Sequence, residues 1–202
     1  MALVGFDLPL DSTAIPRDVR SFLGEAERRV KRFLRTGRFA AFVPSDFARA
    51  YRILRALADA DLAPSTLFCE WGSGFGVVAC LAAMLDFDAC GIEVEGELVD
   101  AARRLADDFG LPVEFVQGSF VPRGAEVYLA GGDGFAWLTT EANGAHDELG
   151  LDPDDFAVIF AYPWPDEEQV TAGLFQRYAA PGAVLLTHHG GEEFRLRRKK
   201  AR

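Results

Sequence analysis

The spacing of apolar residues changes character near residue 63. In the first part it has a helical period. Phe22, Ala26, Val30, Phe33 and Leu34 fall close to one stripe while Arg28, Arg29, Lys31, Arg32 and Arg35 fill much of the rest, which predicts an amphipathic helix over 17–36. Pro16 suits its first turn and Gly37 its C-terminal stop. A short extended link, FAAFVP, follows, with Pro44 disfavouring helix at Val43. Ser45 is then a candidate N-cap for a second helix over 46–60, whose apolar positions are Phe47, Tyr51, Leu54 and Ala58, and Pro64 ends it.

Beyond that point short apolar runs alternate with helical periods. Strands are predicted at 66–71, 88–94, 113–120, 156–162 and 182–189, with helices at 77–85, 96–110 and 167–180. Such alternation means βαβ units, hence an α/β fold with a doubly wound, mostly parallel sheet covered on both faces. Residues 121–155 are the least regular and read as an insertion, with a short strand at 125–130, GGDG at 131–134 and a weak helix around 135–149. The tail EEFRLRRKK alternates enough for a short antiparallel edge strand. The expected organisation is one structural domain, with a helical extension at 1–62 and a nucleotide-type core at 63–202.

Length and composition fit this reading: 202 residues, half of them apolar, can bury a full core. No apolar run is long enough to span a membrane and the N-terminus lacks a basic n-region, so a cytoplasmic protein without membrane contact is expected. Cys69, Cys80 and Cys90 match neither a zinc spacing nor a disulfide framework and read as small core residues, and no metal site is expected. The net charge of −10 is segregated: residues 17–38 carry +5, residues 195–202 carry +6, and residues 39–194 carry −19. So acidic a body repels a phosphate backbone, which argues against duplex nucleic acid as a partner.

The candidate chemistry centres on Glu70-Trp71-Gly72-Ser73-Gly74-Phe75-Gly76, between the first core strand and its helix. Glycines at alternate positions allow a sharp turn and close approach of a ligand to the backbone, ahead of the free N–H groups of a helix. Glu93 ends the next strand twenty-one residues after Gly72, where a carboxylate accepts from ribose hydroxyls. A dinucleotide fingerprint would need glycine at position 77, which is valine; the third glycine falls one residue early, at Gly76. Glu70 would repel a pyrophosphate but could hold a cationic amino-acid moiety.

An acid, G-x-G-x-G and a second acid at the end of strand two resemble the class I S-adenosylmethionine-dependent methyltransferases, of Rossmann-like fold and here of the small single-domain type. The resemblance covers roughly residues 63–189. It implies that Glu70, Gly72, Ser73 and Gly74 wrap the methionine part of S-adenosyl-L-methionine, that Glu93 holds the ribose with Val94 against the adenine, and that Ser119 and Phe120 contact the adenine. Ser119 stands where the family often has an acid.

At the end of strand four, Ala161-Tyr162-Pro163-Trp164-Pro165-Asp166 is similar to the N/D-P-P-Y/F/W tetrapeptide of amino-methylating enzymes, but Tyr162 lacks the carbonyl of Asn or Asp, which disfavours nucleobase N-methylation. Tyr162 and Trp164 are the catalytic candidates, bordering the methyl acceptor. The segment Phe42 to Tyr51 resembles the stretch ahead of the core in small lysine methyltransferases of this class, where it closes over the cofactor. The implied function is methyl transfer to an acceptor that is a small molecule or a protein, with an amine or lysine side chain suggested by the acidic body. A non-catalytic cofactor-binding scaffold and an NAD-dependent oxidoreductase are the alternatives. His188 and His189, ending strand five, include a possible general base, and His146 is expected at the surface.

Overall fold

The computed structural model describes residues 2–37, 42–125 and 144–200. In chain order the elements are β1 (Leu3–Phe6), α1 (Arg17–Leu34), α2 (Phe47–Asp59), β2 (Leu67–Trp71), α3 (Val77–Ala83), β3 (Asp88–Glu93), α4 (Gly96–Phe109), β4 (Glu114–Gln117), α5 (Ala145–Leu149), β5 (Val158–Ala161), α6 (Glu168–Tyr178), β6 (Val184–His188) and β7 (Phe194–Lys199). A 3₁₀ turn at Pro165–Glu167 leads into α6. All but the first residue of the expected strand at 125–130, and GGDG at 131–134, lie outside the described residues; of the helix expected around 135–149, α5 is the described part.

One seven-stranded sheet runs in the order β4, β3, β2, β5, β6, β7, β1. The pairs of β2 with β3 and β5, β3 with β4, and β5 with β6 are parallel, while β7 is antiparallel to both β6 and β1. The chain leaves β2 toward β4 on one side and resumes at β5 on the other. The reversal makes a crevice beyond the C-terminal end of β2, the usual ligand position in such sheets.

Alternation along the strands sends side chains to two cores. Phe68, Phe115, Val158, Phe160 and Leu186 face α1 to α4, whereas Trp71, Ile92, Val116, Ile159 and Leu185 face α5 and α6. Cys69, Cys80 and Cys90 are free and buried, as expected of small core residues.

The tail strand is antiparallel, as the alternation predicted, but it is not the edge. Residues 3–6, which no pattern marked, form β1 and cover it in the register Leu3 to Lys199 and Phe6 to Leu196. Lys199 is buried, and its Nζ donates to the carbonyls of Ala179 and Arg177 at the end of α6. The N-cap of α2 is Asp46 rather than Ser45; its carboxylate accepts from the Arg49 N–H at 2.9 Å.

Candidate active site

Gly72 and Ser73 follow β2 directly, and their N–H groups both donate to the Ile92 carbonyl on β3, at 2.9 and 3.0 Å. Positive φ values of 70°, 53° and 65° at Gly72, Gly74 and Gly76 give the loop its turns. Gly76, which departs from the dinucleotide pattern, has a packing reason for being glycine: a Cβ there would run into the Phe115 ring and Ala102. The same ring occupies the space a Cβ would need at Gly91. Phe115 thereby locks the loop and the start of α3 against β3 and β4.

Glu93 is buried at the end of β3 and spans the loop. Its Oε2 accepts from Gly74 N–H at 2.8 Å and its Oε1 from Glu95 N–H at 3.0 Å. Burial raises its carboxyl above the ordinary range, opposed by the N–H groups of Glu95, Gly74 and Val94. Glu70 is buried too, and its Oε2 accepts from Ala79 N–H at 2.8 Å in the first turn of α3. Burial pushes this carboxyl well above its usual value; the Ala79 N–H works against the shift and the Glu93 charge adds to it. No cation offsets it among the groups that shift it. Ser73 Oγ is buried without a hydrogen-bond partner among the described residues.

A cavity of about 30 Å³ opens between these groups and the link ahead of α2, with Glu70, Gly72 and Ser73 on one side, Phe42 and Ser45 on another, and Tyr162 from the end of β5. The Phe42 ring lies over Gly74, where a Cβ would come within 2.5 Å of it. Phe42 and Phe33 both pack on Phe75, at 5.5 and 5.1 Å between ring centres. Beyond Tyr162 is His188, with ring centres 4.1 Å apart. A larger recess, about 420 Å³ and lined in part by Pro122, His146, Asp154 and Tyr178, lies away from the loop, toward α5 and α6.

Of the residues singled out from sequence, Glu70, Gly72, Ser73, Gly74, Glu93 and Tyr162 come together here. Val94 continues from Glu93, and its carbonyl accepts from Gln117 Nε2 at 3.1 Å. Ser119, also buried, accepts from Val121 N–H at 3.1 Å. Phe120 turns to the other core, stacked on Trp71 with ring centres 4.9 Å apart and planes at 6°. Trp164 lies half-buried at the start of the 3₁₀ turn and is not among the residues lining the cavity.

His146 is buried rather than at the surface, with Nε2 3.0 Å from the Phe120 carbonyl and Nδ1 3.1 Å from that of Leu151. His189 sits against Glu168 (2.8 Å) and Thr187 Oγ1 (2.8 Å). Two participants were not candidates from sequence. Phe42 and Ser45 reach the loop through a fold-back of the chain that local spacing does not encode, although the resemblance of the 42–51 segment pointed to that stretch.

No family model matches the sequence, and no curated protein matches it significantly. Solved structures do resemble it. An RNA methyltransferase from Salinibacter ruber in complex with S-adenosyl-L-homocysteine superposes with a TM-score of 0.54 at 20% identity, over 79% of this chain and 95% of that one. A methyltransferase from Geobacter sulfurreducens gives 0.55 at 16% identity, over 93% and 92% of the two chains. An O-methyltransferase from Bacillus cereus in complex with S-adenosylhomocysteine gives 0.53 at 14% identity, over 87% and 67%. At these identities the likeness speaks for the fold. With the strand order and the crevice beyond β2, it establishes that the chain has the Rossmann-like fold of the class I methyltransferases.

Proposed function

We propose that the protein is an S-adenosyl-L-methionine-dependent methyltransferase. The observation that carries this reading is the buried Glu93 carboxylate bonded to Gly74 N–H and Glu95 N–H at the crevice, with lone pairs left for a cis-diol. The neighbouring groups fit the same cofactor. Among the described residues Ser73 Oγ is a buried polar atom without a partner, and no cation shifts the buried Glu70 carboxyl, which an ammonium group would compensate. When bound, the cofactor supplies an activated methyl group and its own leaving group, so the chain's part is to bind, orient and exclude water.

Drug-sized ligands occupy roughly 300–1,000 Å³. The cavity is about 30 Å³, so in this reading the Phe42 ring swings off Gly74 to admit the cofactor while Ser45 stays on His188. Tyr162, on the cavity wall, borders the acceptor; Trp164 supports the turn beside it. The acceptor in this reading is an amine, including a protein lysine side chain, favoured by the acidic body. The sheet and its helices from residue 63 on, with β1 completing the sheet, act as the catalytic core and α1 and α2 as its cover, in the cytoplasm, where three free cysteines persist as thiols. No helix among the described residues is long and apolar enough to cross a membrane.

Calorimetry and thermal shift with S-adenosylmethionine, S-adenosylhomocysteine and NAD test the reading. The two sulfur compounds should bind and NAD should not; Gly74→Val and Glu93→Ala should each abolish binding. Unchanged binding in both variants would remove the assignment.

A further inference from the structure

The link ahead of α2 and the end of β6 meet in a hydrogen-bonded chain. Ser45 Oγ lies 3.0 Å from His188 Nδ1, and His188 Nε2 lies 3.0 Å from the Gly191 carbonyl. A carbonyl oxygen only accepts, so Nε2 carries the ring proton of the neutral form. Nδ1 is then a bare lone pair, and the bond it makes is one that Ser45 donates. This fixes the serine as well: its proton points at the imidazole, while its oxygen lone pairs are left for the cavity that Ser45 lines together with Glu70, Gly72 and Tyr162.

The imidazole is held on every side. His188 is buried, with the Tyr162 ring at 4.1 Å and 44° on one side and the Phe194 ring at 4.4 Å and 15° on the other. Gly191, in the turn between β6 and β7, has a φ of 54°. A second tie joins the same two segments, Arg49 of α2 to Glu192 of the turn at 3.4 Å. The charged and titratable groups acting on the ring are Asp46 at the start of α2 and His189 just beyond its own strand, with Tyr162, just beyond β5, in ring contact, and Phe194 of β7 stacked on it. Burial lowers the basicity of the ring most, the Gly191 carbonyl and Asp46 work against that, and His189 adds to it.

We propose, on the basis of the methyltransferase reading, that Ser45 and His188 form a proton-accepting relay at the acceptor side of the cavity, and that the acceptor is a neutral amine that must shed a proton. Ser45 Oγ touches the reacting atom; His188 acts through Ser45 and is a positioning residue. The new bond joins the methyl carbon to the acceptor nitrogen as the carbon–sulfur bond breaks, its electron pair remaining on sulfur. The acceptor's proton passes to Ser45 Oγ while the serine proton passes to His188 Nδ1. The positive charge that leaves sulfur ends on the imidazolium, whose Nε2–H stays on the Gly191 carbonyl.

The test needs no identified acceptor. Imidazole nitrogen NMR of the full chain, ligand-free and with saturating S-adenosylmethionine or S-adenosylhomocysteine, reads both the tautomer and the titration of His188. The relay requires the Nε2–H tautomer. It also requires the sulfonium charge to sit close by, so the S-adenosylmethionine complex should titrate lower than the S-adenosylhomocysteine complex by on the order of one pH unit. Ser45→Ala should shift the Nδ1 resonance and leave the Nε2–H signal in place. An Nδ1–H tautomer, or two complexes titrating within about 0.2 pH unit of each other, overturns the relay alone. Failure of both compounds to bind by calorimetry overturns the methyltransferase reading and the relay with it.

Discussion

Gly76 offers a way to separate backbone strain from steric exclusion within one loop. Its φ of 65° is left-handed, and a Cβ would strike the Phe115 ring and Ala102. Gly72, with a φ of 70°, has open space where its Cβ would go. Gly91 is a strand residue outside the left-handed range, but its Cβ would come within 2.7 Å of the Phe115 ring and 2.8 Å of Ser73 Cβ. Alanine at these three positions therefore probes strain alone at 72, crowding alone at 91 and both at 76. Left-handed backbone costs a residue with a Cβ about 1–2 kcal/mol. The lost unfolded-state entropy of glycine returns about 0.4–1 kcal/mol. Crowding in a packed core costs about 1–3 kcal/mol.

Gly72→Ala should thus lose about 0–1.6 kcal/mol, and Gly76→Ala about 1–3 kcal/mol more than that. At about 2–4 °C per kcal/mol for a chain of this size, Gly72→Ala should melt within about 6 °C of the parent and Gly76→Ala roughly 2–12 °C below Gly72→Ala. Urea unfolding followed by circular dichroism and thermal scanning measure both. Phe115→Leu supplies the control. It empties part of the ring's space at a cost of its own, and in the double variant Gly76→Ala/Phe115→Leu the two losses should overlap by about 1–2 kcal/mol instead of adding. Strict additivity, or Gly76→Ala melting with the parent, would refute the steric account of why this glycine stands one residue early.

Other perturbations bear on the buried carboxyls, the link and the tail. Glu70 has its carboxyl raised by burial, so its contribution to stability is full below the ordinary glutamate value of 4.5 and declines as pH rises through the folded value. Glu70→Gln should therefore stabilise the ligand-free protein at pH 8 and flatten that decline, and melts across pH 4.5–8 would show it; a steeper decline in the variant would contradict the assignment. Phe42→Ala should speed S-adenosylhomocysteine association several-fold in stopped-flow measurements by uncovering Gly74, and an unchanged rate would mean the ring does not limit access. Lys199→Ala should cost about 2–3 kcal/mol, because it removes the buried ammonium that donates to the Ala179 carbonyl at the end of α6, a loss readable as a lowered melting temperature.

The parts of the fold legible in sequence are those whose signals are local. Strand and helix periods placed β2 to β6 and their helices, and Gly110, in the left-handed conformation, closes α4 where the pattern ended it. The glycine loop and Glu93 were legible as a pair because a sheet of parallel neighbours brings the ends of β2 and β3 side by side. What escaped the pattern is non-local. Strand β1 is four residues long and owes its existence to β7 at the other end of the chain. Phe120 lies past the end of β4, where no strand period applies, and its stack on Trp71 is a contact between segments far apart in sequence.

Ser45 joins these two kinds of information. Serine and aspartate are both competent N-caps, so Ser45-Asp46 left two candidates for one role. Asp46 takes the capping role, and Ser45 instead donates to His188, contributed 143 positions further along. A residue released from its local role in this way is free to serve the cavity it faces. The tie also fixes the start of α2: with Ser45 and Arg49 both bound to the end of the sheet, the Phe42 ring can leave Gly74 by its own rotation while Ser45 stays on His188. The Arg49 to Glu192 pair is partly exposed and worth little. The bond between Ser45 and the buried His188 is therefore the one that holds the link to the sheet, so the group that would meet the acceptor stays in place when the Phe42 ring moves.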